Sequence, residues 1–407
     1  MTVKPTTGSD LRILGLGLSR YVATDEGQAS DTAMRLLDYG QYFKEYWTIV
    51  KTPNLPQVYR YRRMNNNIVI LPTLSNGHFM TLFRMIQLGY RVMKSAAFNA
   101  IVTQDPILTG MAGLLLRVIF RVPLCISLHE DILDNLNWIT AERHNYILNF
   151  IGKAIVRHAD FVRVVSHQQE IYVTEILRIP KQRVMWAPVR VDTEIFEHAD
   201  GISVLSELTS HGADRILLFV GRLVKEKNID FLLHAFAKVA NEYPSVCLVL
   251  VGDGPERDKL AQTAISLNIS EKVVFRGWLS PTAVAEHMAA SNILVLSSYY
   301  EGFGRVILEA AATGIPVVST ACIGPRELIQ DGVTGYLIPH DDIDQMASKL
   351  LFLLRNSKVA VEMGRMAKQV TREKYVQEQI THLTIESLRR TAQLGLRQHR
   401  ILCNANE

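Results

Sequence analysis

Three times in the second half of this 407-residue chain, an apolar run too short to be a helix stops at glycine and gives way to a helical pattern. Ile216-Leu217-Leu218-Phe219-Val220 stops at Gly221. The run ending at Val251 stops at Gly252-Asp253-Gly254-Pro255, with Pro255 suited to a first helical position. Ile293-Leu294-Val295-Leu296 is followed by Tyr300-Glu301-Gly302-Phe303-Gly304, then by an apolar helix from Val306. Short runs that are apolar at every position read as buried parallel strands. A strand that hands over to a helix through glycines aims free backbone N–H groups and the positive end of a helix dipole at whatever lies there. The pattern therefore sets the fold class as α/β and puts any ligand at the carboxyl ends of the strands.

The first half alternates in the same way. Strands are expected over 11–18, 47–50, 68–71, 100–102, 123–128 and 161–165, with helices over 32–42, 80–95, 107–120 and 145–158. In the second half, strands near 216, 246, 273, 293, 316 and 334 alternate with helices. The polar stretch 197–214 is the expected boundary, giving domains over 1–196 and 197–374. A terminal helix follows from 375, with a frayed tail from Arg397 to Glu407.

With 48% hydrophobic and 21% charged residues, the chain can bury substantial cores. A net charge of +4 falls short of a nucleic-acid footprint, so no nucleic-acid partner is expected. Cys125, Cys247, Cys322 and Cys403 form no CxxC pair, which favours reduced thiols and a cytoplasmic setting. The polar N-terminus lacks a signal-peptide core, and the most apolar stretch, 110–128, is broken by Arg117, Arg121 and Pro123. The helix over 80–95 carries Arg84, Arg91 and Lys94 beside Phe79 and Phe83. It reads as an ordinary surface helix, with peripheral contact on the inner face of a membrane left open.

Glu301 and Glu309 bracket the last glycine loop, Gly302-Phe303-Gly304, and about eighty residues upstream Arg222 and Lys227 follow Gly221. Arginine offers a planar fork to phosphate oxygens and lysine a point charge, while a helical glutamate close to the loop suits sugar hydroxyls. Together with Val274-Phe275-Arg276-Gly277, these segments resemble the family 4 glycosyltransferases in order, type and spacing from about Ile216 to Leu354. The resemblance implies a GT-B fold, two Rossmann-like doubly wound domains facing across a cleft, with the terminal helix crossing back to the first. It implies that Arg222 and Lys227 hold a nucleoside diphosphate, with Gly252 in the same donor site. It also implies that Glu309 takes the ribose, and that Glu301 with Gly302, Phe303 and Gly304 faces the transferred sugar. Arg276, Gly277 and Trp278 would lie by the base.

On the first-domain side, His129 of His129-Glu130-Asp131 follows a strand, as do Gly17 and Gln104, and all three are acceptor-side candidates. His129 joins Glu301, Arg222 and Lys227 as a catalytic candidate. The loop after Gly15-Leu16-Gly17 departs from the family's pattern, lacking its Gly-Gly pair and running from Ser19-Arg20-Tyr21 to Ser30. Asp342-Ile343-Asp344 has the spacing of a metal motif but reads as a helix cap with an acidic first turn. No metal or cofactor is expected.

The reading is a retaining glycosyltransferase that moves a sugar from a nucleoside diphosphate to the hydroxyl of a glycan, lipid-linked or small-molecule acceptor, in polysaccharide or glycoconjugate assembly. Alternatives on the same fold are a nucleotide-sugar epimerase, a phosphorylase, or a non-catalytic partner of an active transferase.

Overall fold

The computed structural model describes residues 9–18, 20–24, 31–56, 58–210 and 212–404. They form two compact units, one of residues 1–190 and 378–407, the other of residues 191–377. Most of the loop over 19–30 singled out above lies outside the described residues, as do the last residues of the tail.

The first unit is built on an eight-stranded sheet: β1 Ser9–Gly17, β2 Phe43–Val50, β3 Arg62–Met64, β4 Ile68–Pro72, β5 Ala100–Thr103, β6 Leu124–Leu128, β7 Phe161–Val164 and β8 Val184–Trp186. Their order is β3-β4-β2-β1-β5-β6-β7-β8, parallel except for the edge strand β3. The central strands are buried at nearly every position, as their unbroken apolar runs require. One face packs Ile13, Tyr46, Val102 and Phe161 against Leu36 of helix Asp31–Gly40 and against Ile385, Leu388 and Ala392 of the terminal helix. Helices His78–Ser95 and Leu108–Phe120 pack against each other and against the sheet.

The second unit holds a six-stranded, all-parallel sheet: β9 Arg215–Val220, β10 Val246–Val251, β11 Val273–Gly277, β12 Ile293–Leu296, β13 Val317–Thr320 and β14 Gly335–Ile338. The order is β11-β10-β9-β12-β13-β14. Numbered within the unit this is 3-2-1-4-5-6, the doubly wound order in which the winding reverses between β9 and β12. Helix Ile229–Glu242 packs on helix Ile343–Arg355, and helix Arg305–Thr313 on helix Ser357–Lys374.

Three expectations change. The stretch 197–214 is not a bare linker: helix Ile202–Ser210 occupies most of it, with Val204 and Leu208 one turn apart and buried. The boundary falls earlier, at Arg190/Val191, because Phe196 is buried and Glu197 pairs with Arg372 of the second unit. The terminal helix runs from Gln377 to Asn404, so much of the tail expected to fray continues it. Its Leu, Arg and Gln residues are good helix formers.

Candidate active site

In the second unit, the reversal of winding places the loop after β9 beside the loop after β12. The turn Lys225–Lys227 ends at Asn228, whose φ of 46° suits asparagine, and helix Ile229–Glu242 starts there. Two hydrogen bonds hold the neighbouring loop to this turn: Tyr299 N–H donates to the Glu226 carbonyl at 2.9 Å, and the Ser297 hydroxyl to the Lys227 carbonyl at 2.7 Å. Lys227 Nζ consequently lies 2.5 Å from Glu301 Oε2, with the two side chains only 18% and 22% exposed.

The Glu301 carbonyl accepts from Gly324 N–H at 2.8 Å. Gly304, at φ 82°, opens helix Arg305–Thr313, and its carbonyl accepts from Ile307 N–H at 2.9 Å. Glu309 sits on the next turn, 3.6 Å from Arg305 Nη2 and largely shielded from solvent. Phe303 is buried, its ring edge-on to Tyr375, so its side chain serves the core and only its backbone belongs to the loop.

The remaining donor-side candidates divide. Arg222 is well exposed and pairs with Glu226 at 2.5 Å. Gly252 has φ 131°, donates its N–H to the Gly277 carbonyl, and would place a Cβ 1.9 Å from the Gly221 oxygen. Its identity is thus accounted for by the approach of two loops. Arg276 is paired with Glu207 of helix Ile202–Ser210 at 2.7 Å. Gly277, at φ 68°, faces open space, and Trp278 beside it is 58% exposed. Asp342 caps helix Ile343–Arg355 by accepting from Gln345 N–H at 2.8 Å, and Asp344 pairs with Lys238.

In the first unit, Gly17, Gln104 and His129 line one cavity at the carboxyl ends of β1, β5 and β6, where that sheet reverses its winding. Gln104 Oε1 accepts from Leu18 N–H at 2.9 Å and holds the loop after β1. The adjacent Asp105 caps helix Leu108–Phe120, taking bonds from Ile107, Leu108 and Thr109 N–H, so it is structural. Burial, together with Arg163 and Arg35, drives His129 well below the usual imidazole range and leaves it neutral near pH 7. Asp131 is pushed up to about 6 by burial, against a 2.8 Å bond from Asn135.

A model of glycosyl transferases group 1 matches residues 206–370, and a glycosyl transferase 4-like domain model matches residues 52–190. Residues 206–370 thus belong to the group 1 glycosyltransferases.

Among curated group 1 relatives, N-acetyl-alpha-D-glucosaminyl L-malate synthase of Bacillus anthracis is 31% identical over 57% of this chain and 60% of its own length. D-inositol 3-phosphate glycosyltransferase of Mycobacterium marinum is 31% identical over 61% of this chain and 54% of its own. The matched region thus spans less than two thirds of these relatives. Sucrose-phosphate synthase of Thermosynechococcus elongatus superposes with a TM-score of 0.79 at 22% identity, covering 93% of this chain and 98% of that one. HepE of Anabaena, solved with UDP and glucose, gives 0.73 at 19% identity, covering 93% and 99%. At these identities the likeness establishes the fold, which is GT-B.

Sequence reasoning missed four residues of the first-unit cavity: Arg35, Tyr46, Ser127 and Arg163. Arg163 carried a signal, being a lone charge inside the apolar strand Phe161-Val162-Arg163-Val164-Val165. Ser127 and Tyr46 join it through strand register, which pairs Ser127 with Arg163 and Tyr46 with Ile13, and Arg35 comes from helix Asp31–Gly40.

Proposed function

We propose that this group 1 glycosyltransferase moves a sugar from a nucleoside diphosphate to an acceptor hydroxyl with retention of anomeric configuration. The observation that carries the reading is the Lys227–Glu301 pair at the winding reversal, between a glycine-opened helix and a shielded Glu309. A departing diphosphate needs its growing charge stabilised by groups already in place. Arg222, Lys227 and the backbone amides of 302–304 supply them, and Glu309 binds the ribose. Glu301 and the backbone of 302–304 hold the sugar, while Gly277 and the exposed Trp278 offer a platform for the base. The UDP in HepE supports a uridine donor. The leaving phosphate takes the acceptor proton on the same face, and His129, neutral at pH 7, is left for an acceptor hydroxyl on the first unit's side. No cofactor enters this scheme. A scaffold has no chemical need for Arg222, Lys227, Glu301 and Glu309 together, which favours transfer over the non-catalytic alternative; an epimerase would convert the donor without acceptor, and a phosphorylase would show the absorbance of a lysine-bound pyridoxal phosphate.

The test is thermal shift with UDP, GDP, ADP and their sugar conjugates, followed by product analysis with and without acceptor. Stabilisation by one nucleotide family, lost in Lys227→Ala, is expected by mass action. No shift with any nucleotide would refute the donor site, and donor conversion without acceptor would favour the epimerase. We further assign the enzyme to cytoplasmic glycoconjugate or polysaccharide assembly, supported by a match to a lipopolysaccharide core biosynthesis glycosyltransferase of Rhizobium meliloti, 32% identical over 42% of this chain. No helix among the described residues is long and apolar enough to cross a membrane. Phe79 and Phe83, 82% and 54% exposed on a helix without acidic residues, support peripheral contact with an anionic lipid surface.

A further inference from the structure

Arg163 sits in the middle of the first unit's sheet, on β7, with only 6% of its surface exposed. Its Nε has no hydrogen-bond partner, and no salt bridge to it is found among the described residues. A guanidinium keeps its charge when buried, and a buried charge without a counter-charge costs several kcal/mol. The neighbours do not supply one. Burial raises the Tyr46 phenol above its ordinary range and pushes the Cys125 thiol up to about 11, so both stay neutral, and His129 is neutral as well. A second cation, Arg35 of helix Asp31–Gly40, lines the same first-unit cavity and bonds Thr32 at 3.1 Å.

Both arginines line a small cavity of about 50 Å³, and no described residue around it carries a carboxylate. The rest of the wall is suited to a small polar guest: Gly15 and Gly17 keep it open, while Thr48, Ser127 and Gln104 offer hydroxyl and amide groups. A Cβ on Gly15 would come within 3.0 Å of the Tyr46 hydroxyl and fill part of this space.

We propose that this cavity seats an oxyanion, a carboxylate or a phosphate monoester, gripped by Arg163 and Arg35. Resting on the transferase reading above, that anion is a substituent of the acceptor, so the acceptor is a negatively charged molecule. Arg163 is then a specificity residue: it recognises the acceptor's charge and does not take part in cleavage of the donor.

The test titrates the full-length protein with inorganic phosphate and, separately, acetate, against chloride at constant ionic strength, by calorimetry and thermal shift. It is done in the Lys227→Ala background, so that phosphate cannot report the diphosphate site. Saturable binding of at least one probe is expected, and which probe binds tells a phosphate from a carboxylate. Arg163→Met should weaken it at least tenfold, and should melt higher than its parent in anion-free buffer because an uncompensated charge is gone. Unchanged affinity in Arg163→Met, or no binding of either probe, overturns the proposal. If the Met variant does not fold, Arg35→Gln decides by the same tenfold criterion. UDP binding, measured separately with Lys227 intact, distinguishes the two claims. An Arg163-dependent anion without any nucleotide shift would sink the transferase reading and leave the anion site standing.

Discussion

Glu301 is paired with Lys227, the residue that would hold the diphosphate, which gives the two residues opposite effects on the bare nucleotide. On binding UDP, Lys227 must exchange a carboxylate 2.5 Å away for a phosphate, and Glu301 is left facing the diphosphate charge. A carboxylate about 7 Å from a unit negative charge, at an effective dielectric of about 20, repels it by roughly 2 kcal/mol. Partial exposure and salt reduce this to about 1–2 kcal/mol, or roughly 5- to 30-fold in affinity. Glu301→Gln should therefore bind UDP about 5- to 30-fold more tightly while its turnover with the sugar donor collapses. Lys227→Ala should do the reverse for UDP. It loses a charge-assisted hydrogen bond worth about 1.5–3 kcal/mol and leaves Glu301 unopposed, so affinity falls about 30-fold or more. In the double variant the loss should be smaller than in Lys227→Ala alone. Calorimetry with UDP on the four proteins gives the coupling directly. If Glu301→Gln weakens UDP as Lys227→Ala does, Glu301 is not a stand-in for phosphate and the reasoning fails.

Asp131 is raised from 3.8 to about 6, so its protonated form is favoured by folding and its contribution is lost as pH rises through about 6. The melting temperature should fall between about pH 4 and 6, and Asp131→Asn should flatten that slope and stabilise the protein at pH 8 by up to roughly 3 kcal/mol; an unchanged slope would refute the assignment. Gly252→Ala places a methyl 1.9 Å from the Gly221 oxygen at φ 131°, and should lower stability by about 3 kcal/mol or more in a denaturant titration. A loss under about 1 kcal/mol would show that the loops can part. Phe79→Ser with Phe83→Ser should abolish co-flotation with anionic vesicles and spare UDP binding; equal flotation would remove these rings from any lipid contact.

The turns that carry the donor-side candidates were legible in sequence because their parts are local. The strand before Gly221 and the glycines before Glu309 announce their own turns, and the doubly wound order brings the two loops together. The pairing of Lys227 with Glu301 was not legible, since it depends on Ser297 and Tyr299 holding the loop to the turn after β9. Arg276 was placed by resemblance near the base, whereas the structure pairs it with Glu207 on a helix the sequence reading took for a linker. Strand β8, only three residues long, and the antiparallel edge strand β3 lacked the period that makes longer strands visible. The anion cavity was least legible, because its walls come from β1, β2, β5, β6, β7 and two helices far apart in the chain.

The terminal helix has a consequence for how this chain is made. Ile385, Leu388 and Ala392 complete the core of the unit that begins at the N-terminus, and Thr384 and Leu388 line its cavity. On the ribosome, at about 5–20 residues per second, that unit waits roughly ten to forty seconds while residues 191–377 are synthesised. Until then one side of its sheet stays partly uncovered. Premature termination just after residue 377 would leave the donor half whole and the first half without part of its core, a ready client for chaperones.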